Sequence, residues 1–417
     1  MSLIIYAIPV FFLLIGVELL IAKMKNLSYY RMNDAIANLS CGIGSQLSGI
    51  FMKTFTFVGY LYLYNNSIWK IQDNVITFIL LFISVDFFYY WFHRLAHEIS
   101  FLWGSHVVHH QSEEYNLTVA LRQAWLQGAF SWVFYLPLAV VGFSPATFIT
   151  IASLQTLYQF WIHTKLIGKM NPVFEYVFNT PSHHRVHHGV NPKYIDRNHG
   201  GTLIIFDRWF GTFQLEEEEV VYGITKQTNS WNPVWVNFEY WIDLFKEAFQ
   251  VKRVKNFFLM MLKMPGWKPE ELGGVQPLKE VTPQTFHKYD TEISGGLTNY
   301  AFAQFVIVLL STTVFLVFQS QPLFKENYLL KIVAASLIIL SLTTIGGIFE
   351  KKSWVPALEY LRIAAISVFV FMLLKNSSLI FLAGTVTGIV ALGSAIWFTR
   401  YLGEFQIKLQ SHVSSNI

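Results

Sequence analysis

Histidine is the residue type in this sequence with the clearest potential for chemistry. Eleven of the 13 histidines lie between His93 and His199, a window in which even spacing along the chain would place about three. Imidazole nitrogen is a ligand for zinc, copper, iron and nickel, and the only cysteine, Cys41, excludes a cysteine-based metal cage. The clustering therefore predicts a metal site built mainly from histidine.

The spacing within this window repeats. The first two histidines are four residues apart, and two later groups follow the pattern His-x-x-His-His. Residues three or four apart share one face of a helix, so each group can present two or three imidazoles towards one point. His163 follows an apolar segment that we expect to end near the same membrane surface. The predicted metal ligands are His93, His97, His106, His109, His110, His163, His184, His187 and His188.

Nine imidazoles are more than one metal ion binds. Zinc normally has four ligands, so nine nitrogens predict two ions with open coordination positions. A single histidine is more often structural than a ligand, which is how we interpret His183 and His199: the first points off the shared face and the second lies in a Gly-rich turn. The pattern as a whole therefore predicts a dinuclear site.

Acidic residues stand close to these histidines in the sequence. Asp86 lies seven residues before His93 on the same predicted helical face, and Glu98 directly follows His97. An aspartate inside a membrane span is costly without a partner, which favours a site role for Asp86. Pairing with Arg94 or Arg122 is the alternative. Two further acids follow the last histidine group and could support the ligands or be solvated: Asp196 and Asp207.

The composition indicates which elements must position these residues. The chain is 53% hydrophobic and only 13% charged, whereas a soluble domain carries about 25% charged residues. The net charge of +4 is spread along the chain, and no basic block interleaved with aromatic residues suggests nucleic-acid binding. We therefore predict an all-α, multi-pass membrane protein that does not bind nucleic acid.

Nine apolar segments are candidates to cross the membrane, for which about 20 residues are needed. Lys23, Lys25 and Arg31 follow the first segment, so the positive-inside rule places the histidines on the cytoplasmic side. The membrane would be the endoplasmic reticulum in a eukaryote or the inner membrane in a bacterium. The weakest candidate is 354–374, which contains Glu359 and Arg362. The predicted spans are 3–22, 35–64, 75–92, 125–143, 146–161, 300–318, 329–349, 354–374 and 379–398.

The order of apolar and polar stretches predicts three regions. Residues 1–163 carry membrane helices and the first histidine motifs, 164–295 form a cytoplasmic or interfacial segment with the last motif, and 296–417 hold the C-terminal spans. Within the middle region, residues 232–258 have apolar positions at helical spacing beside basic residues. This pattern is typical of a helix lying in the membrane interface, and it fits an ordinary core helix equally well.

The histidine motifs resemble those of the fatty acid hydroxylase and sterol desaturase superfamily of membrane di-iron oxygenases. More detailed stretches are similar to the alkylglycerol monooxygenase family, and the resemblance covers nearly the whole chain. These stretches are 85–87, 90–94, 96–98, 109–113, 115–117, 120–123, 158–164, 179–189, 203–205 with Asp207, 210–213, 221–223, 265–267 and, more weakly, 342–346.

The resemblance implies a membrane di-iron monooxygenase that cleaves the O-alkyl ether bond of alkylglycerol lipids, with O2 and tetrahydrobiopterin as co-substrates. Hydroxylation next to the ether oxygen would give a hemiacetal that collapses to a fatty aldehyde and a glycerol derivative. The family's ligands carry over onto the nine predicted histidines, and its functionally important acid onto Glu98. His199 stands where the family has tyrosine, which supports a non-ligand role.

Three other functions fit the same residues. A sterol or acyl-lipid hydroxylase or desaturase would use the same di-iron site. A membrane metal-binding or transport protein would use the histidines to carry ions, although their clustering at one membrane face argues against a crossing path. A zinc hydrolase is disfavoured by the number of ligands.

Overall fold

The computed structural model describes residues 3–375, 377–378 and 380–405. In these residues the regular structure is helical, with two isolated β-bridges and no extended strand, which confirms the predicted all-α class. The α-helices are α1 Leu3–Met24, α2 Met32–Asn66, α3 Val75–Glu98, α4 Ser100–Trp103, α5 Val107–His110, α6 Gln127–Val141, α7 Pro145–Trp161, α8 Pro172–Val177, α9 Pro181–His187, α10 Ile205–Phe210, α11 Pro233–Ala248, α12 Val254–Leu262, α13 Gly295–Phe318, α14 Pro322–Lys325, α15 Tyr328–Phe349, α16 Val355–Leu374 and α17 Ile380–Thr399.

Six of the described helices are long and apolar enough to cross a membrane: α1, α3, α13, α15, α16 and α17. The protein is therefore a multi-pass membrane protein, and the predicted count of nine spans is not confirmed. Helices α6 and α7 have only 15 and 17 residues. Helix α2 has 35 residues, but buried Asp34 and Asn38 near its start make polar contacts with the loop after the second histidine motif. The predicted span 379–398 begins at Leu379, which lies outside the described residues; the helix there is Ile380–Thr399.

The chain forms two compact units. The first comprises residues 1–229 and 235–289, and the second comprises 230–234 and 290–417. The predicted division into three regions stays a prediction.

In the first unit, α2, α3, α6 and α7 pack together and α1 packs on α7. Apolar side chains from these helices meet in one cluster that includes Leu81, Leu138 and Ile151. Lipid tails are as apolar as these side chains, so van der Waals packing holds such membrane helices together. The result is a rigid support for the histidine-bearing end of α3.

A capping box fixes the start of α3. The Asn74 side chain accepts a hydrogen bond from the Thr77 N–H, and the Thr77 hydroxyl accepts one from the Asn74 N–H, which satisfies two backbone donors. From this start the helical repeat buries Leu81, Val85 and His93 on one face. The first histidine pair therefore lies one turn apart on the buried face of an anchored helix.

The second unit contains α13 to α17 and buries a polar network between its helices. Glu359 accepts hydrogen bonds from the Tyr300 hydroxyl and from Arg362, whose guanidinium also donates to Gln304 over 2.8 Å. Gln304 in turn donates to Ser394 over 2.9 Å. The two charges that weakened the predicted span 354–374 thus pair inside the unit, where neither faces lipid.

Candidate metal centre

The structure brings all nine predicted ligands together and divides them into two groups. Within each group, one ligand atom per residue lies within 4.8 Å of every other. The five-histidine group consists of His93, His97, His106, His110 and His187. The four-histidine group consists of His109, His163, His184 and His188.

Two neighbouring pairs in the sequence are split between the groups. His109 and His110 belong to different groups, and so do His187 and His188. Consecutive residues on a helix point about 100° apart, so the helical ends at α5 and α9 supply ligands to both groups. Each His-His pair therefore links the two groups through one peptide bond.

The Nε2 atoms point towards each other within the groups. His93 Nε2 lies 2.9 Å from His106 Nε2, which lies 3.1 Å from His110 Nε2. In the other group, His163 Nε2 lies 3.1 Å from that of His109 and 3.0 Å from that of His184. Ligand nitrogens bound to one ion at about 2.0–2.1 Å have separations of this size.

Several of these nitrogens have no partner within the protein. The Nε2 atoms of His97, His187 and His188 are buried without a hydrogen bond, and each of the nine residues is at most 5% exposed. A buried polar atom without a partner costs free energy, and metal ions would satisfy these atoms. The residues present therefore fit two imidazole-bound metal ions.

The opposite ring nitrogen, Nδ1, is engaged in six of the nine imidazoles. Metal-binding histidines typically donate this second N–H to a carbonyl or carboxylate, which fixes the ring orientation and leaves Nε2 for the metal. In the four-histidine group, His109 Nδ1 bonds the Arg122 carbonyl over 2.9 Å, and His163 Nδ1 bonds the Gln159 carbonyl over 2.7 Å. His106 Nδ1 lies 3.2 Å from the Gln127 side-chain oxygen.

One loop provides the remaining three acceptors. The His199 carbonyl accepts from His93 Nδ1 over 2.7 Å, and the Arg197 carbonyl accepts from His187 Nδ1 over 2.9 Å. The Asp196 carboxylate lies 3.2 Å from His97 Nδ1. The loop 196–199 therefore orients three imidazoles of the five-histidine group.

Two buried aspartates hold this loop in place. Asp207 accepts the backbone N–H groups of His199 and Gly200, each over 2.7 Å. Asp86 accepts those of Thr202 and Leu203 over 2.9 and 2.7 Å. Asp86 thus contacts the backbone that follows the loop 196–199, and it pairs with neither Arg94 nor Arg122. Its catalytic role stays a prediction, and its contacts favour positioning.

Glu98 lies at the end of α3 beside the site. Its Oε1 accepts a hydrogen bond from Arg94 Nε over 2.8 Å, and its side chain is 32% exposed. It does not belong to either histidine group. The predicted catalytic role of Glu98 therefore depends on its reach towards a bound substrate.

The two histidines interpreted as structural are also buried. His199 is fully buried, its ring lies 5.1 Å from that of His97, and its Nδ1 is 3.7 Å from an oxygen of Asp207. His183 Nδ1 lies 3.4 Å from the Thr180 hydroxyl. Neither residue belongs to a histidine group in the described part of the chain, and their structural role stays a prediction.

Burial keeps the clustered imidazoles neutral. Desolvation lowers the pKa of His109 to about 4, and it lowers the pKa values of His106, His110, His184, His187 and His188 well below 6.5. Neighbouring imidazoles lower most of these further, because a second positive charge would be repelled. Neutral imidazole is the form that binds metal.

The sequence comparisons first give the class of protein. Residues 78–212 match the fatty acid hydroxylase family, and this range contains both histidine groups. Similarity to an ornithine lipid hydroxylase of Rhizobium tropici is 27% identity over 36% of this chain and 46% of that protein. No solved structure matches the chain significantly.

Longer relatives give the particular family. The chain is 39% identical to an alkylglycerol monooxygenase of Xenopus tropicalis, over 84% of this chain and 78% of that protein. It is 37% identical to the alkylglycerol monooxygenase of Homo sapiens, over 85% and 80% of the two chains. The chain therefore belongs to the alkylglycerol monooxygenase family and is an oxidoreductase.

Proposed function

We propose that this protein is a di-iron monooxygenase that cleaves the O-alkyl ether bond of alkylglycerol lipids with O2 and tetrahydrobiopterin. The observation that carries the proposal is the convergence of nine buried histidine side chains into two groups, in a chain 37–39% identical to alkylglycerol monooxygenases. The active site would face the cytoplasm, because basic residues follow the first span.

Each histidine group would hold one iron. When bound, the irons would supply activation of O2 and oxidation of the carbon next to the ether oxygen. The chain's contribution is preorganisation, since six Nδ1 hydrogen bonds fix the imidazoles before the metal arrives. Burial of the ligands excludes bulk water, which protects the oxidation from side reactions.

The overall reaction balances with one O2 and one tetrahydrobiopterin. The substrate carbon loses a hydrogen and gains a hydroxyl, which supplies two electrons, and the pterin supplies the other two while it becomes a dihydropterin. The second oxygen atom leaves as water. The hemiacetal then breaks its C–O bond to the glycerol oxygen, giving a fatty aldehyde and free glycerol or its derivative.

We propose Glu98 as the group that moves the proton during collapse of the hemiacetal. Its Oε1 accepts from Arg94, whereas Oε2 has no hydrogen-bond partner among the described residues. A carboxylate at Oε2 can accept the hemiacetal proton, and the acid form can return it to the departing glycerol oxygen. Its partial exposure suits a residue that meets a lipid headgroup.

Product analysis tests this function. The iron-loaded protein in lipid micelles is incubated with an alkylglycerol, with and without tetrahydrobiopterin, under air and under argon. We expect fatty aldehyde only when pterin and air are both present. Absence of aldehyde from a protein that holds two irons would contradict ether cleavage.

Acyl-lipid hydroxylation is the second candidate, because residues 78–212 match the fatty acid hydroxylase family and the chain is 27% identical over 152 residues to an ornithine lipid hydroxylase. It would give a hydroxylated lipid and no aldehyde, as would a sterol substrate. Metal transport has weaker support, since both histidine groups are enclosed within one unit of the fold. Uptake of metal into vesicles that contain the protein would distinguish metal transport from lipid oxidation.

A further inference from the structure

An apolar groove borders the short helix α4. It has a volume of about 450 Å³ and is lined only by apolar atoms. This volume falls within the range of small-ligand sites, roughly 300–1,000 Å³. The lining residues are Ile99, Phe101, Leu102, Phe245, Met261 and Leu262.

Hydrogen bonds outside the lining fix the shape of the groove. The Ser100 N–H donates to the Lys263 carbonyl over 2.9 Å, which ties α4 to the end of α12. The Trp241 indole N–H donates to the Phe101 carbonyl over 2.9 Å, and the Ser100 and Tyr240 hydroxyls lie 2.7 Å apart. The groove is therefore formed before any ligand binds.

Helix α4 connects the groove to the metal centre. Phe101 and Leu102 line the groove, while the next residue, Trp103, packs its ring 4.7 Å from that of His97 and 5.3 Å from that of His110. The helix has only four residues. A molecule in the groove is therefore separated from the five-histidine group by one short helix.

The groove opens onto an apolar stripe on α12. Val254, Phe258 and Leu262 recur every four residues and are 74%, 57% and 63% exposed, while Met260 and Met261 pack inwards against the α11 side chains Leu244 and Ala248. Leu262 belongs to both the stripe and the groove. In water this exposed surface would be unfavourable, whereas at a membrane surface lipid would cover it.

Basic side chains flank the stripe. Lys252, Arg253, Lys255 and Lys263 are all exposed at the two ends of α12, where they complement lipid phosphates. The charge pattern favours a lipid leaflet over an apolar protein partner. At the C-terminal end of residues 232–258, the charge pattern favours a helix in the membrane interface over an ordinary core helix.

We propose that α12 lies in the membrane interface and that the groove between α4, α11 and α12 binds the alkyl chain of a membrane lipid. This inference rests on the proposed function, in which that lipid is the alkylglycerol substrate. The chain would pass from the leaflet along the stripe and over Leu262, and the groove would hold it beside α4 with the ether bond towards the histidines.

Photolabelling tests the binding site without turnover. The full-length protein in nanodiscs of phosphatidylcholine and phosphatidylserine is mixed, under argon and without pterin, with an alkylglycerol carrying a diazirine on its alkyl chain. After illumination, mass spectrometry locates the modified residues. We expect labels in residues 99–102 and 261–262, displaced by excess unlabelled alkylglycerol. Labels confined to the membrane spans would overturn the proposal.

Two matched leucine substitutions sharpen the test. L262W adds bulk inside the groove, whereas L278W makes the same replacement at an exposed leucine outside the groove and the stripe. Each methylene group denied its contact lowers binding by a factor of about four, so L262W should lower labelling of residues 99–102 by about tenfold. L278W should leave it unchanged, and equal effects would contradict the groove.

The outcome is separable from that of the proposed function. Labels in the groove of a protein that releases no aldehyde would retain the lipid site and reject ether cleavage. Aldehyde release by a protein labelled elsewhere would retain ether cleavage and reject the groove.

Discussion

The backbone carbonyl of His199 accepts a hydrogen bond from Nδ1 of His93 over 2.7 Å. The backbone N–H of His199 in turn donates a hydrogen bond to the Asp207 carboxylate over 2.7 Å. A chain of two hydrogen bonds thus connects a buried carboxylate to a ring of the five-histidine group. Asp207 therefore supports the orientation of the His93 ring and belongs to neither histidine group.

Asp207→Asn should weaken metal binding at the five-histidine group. The amide keeps one acceptor oxygen, so either the His199 or the Gly200 N–H loses its partner and the loop loosens. Changes to groups that support metal ligands typically lower affinity by about 10–100-fold. We expect a loss at the lower end of this range, measured by Co²⁺ titration and the visible absorption of bound Co²⁺.

Asp243→Asn is the matched control for this substitution. Asp243 lies on α11, forms an ion pair with Lys226 and is distant in sequence from the predicted ligands. Its variant should bind Co²⁺ like the unaltered protein. Equal affinities of the two variants would show that Asp207 does not position the site.

Substitutions in the two groups should each remove one metal ion. His93 and His97 belong to the five-histidine group and His163 to the four-histidine group. His93→Ala/His97→Ala and His163→Ala each leave three imidazoles in the affected group, so elemental analysis should show about one ion per chain instead of about two. His287→Ala, at an exposed histidine outside both groups, should retain both ions. Loss of all metal in either variant would mean that the nine residues form one indivisible site.

The metal-free protein should lose stability as the pH falls below about 6.5. Burial lowers the folded-state pKa of His109 to about 4, so between these values the unfolded chain binds a proton that the folded chain does not. Stability therefore rises with pH through this window. Thermal unfolding in detergent at pH 5 and 7.5 measures the effect, and iron should enlarge it because protons compete for the same nitrogens. A pH-independent unfolding temperature would contradict neutral buried imidazoles.

The ion pair in the second unit gives a stability prediction. Arg362→Leu leaves the Glu359 carboxylate buried with the Tyr300 hydroxyl, and breaking one partner of a buried pair costs about 3–5 kcal/mol. Adding Glu359→Gln to this variant removes the unpaired charge and should recover most of the loss. Thermal unfolding of the single and double variants measures this. A double variant no more stable than Arg362→Leu would contradict the pairing.

The sequence identified the nine histidines that the structure brings together, but not their division into two groups. Spacing alone identifies His109 and His110 as candidates, yet only the three-dimensional placement of α5 sends them to different groups. The supporting loop was not predictable either, because the carbonyls of Arg197 and His199 act through the backbone and leave no signal in residue type. The sequence identified Asp207 as an acid close to the histidines, but it did not show that Asp207 binds the backbone of His199 and Gly200.

The membrane prediction was limited by the same distinction between composition and contacts. Hydropathy identifies α16 although this helix contains Glu359 and Arg362, whose pairing a hydropathy average does not show. Helix α2 is not among the six helices that length and hydropathy select in the described residues, so the predicted span 35–64 stays a prediction. Asp34 and Asn38 near the start of α2 bind side chains of the loop after the second motif.

The oxygen source of the aldehyde tests ether cleavage most directly. The iron-loaded protein turns over an alkylglycerol with tetrahydrobiopterin under ¹⁸O2, and the aldehyde is reduced at once to its alcohol to prevent exchange with water. Hydroxylation next to the ether oxygen predicts one ¹⁸O atom in this alcohol and none in the released glycerol. An unlabelled product that also forms under argon would contradict a monooxygenase and indicate hydrolysis of the ether instead.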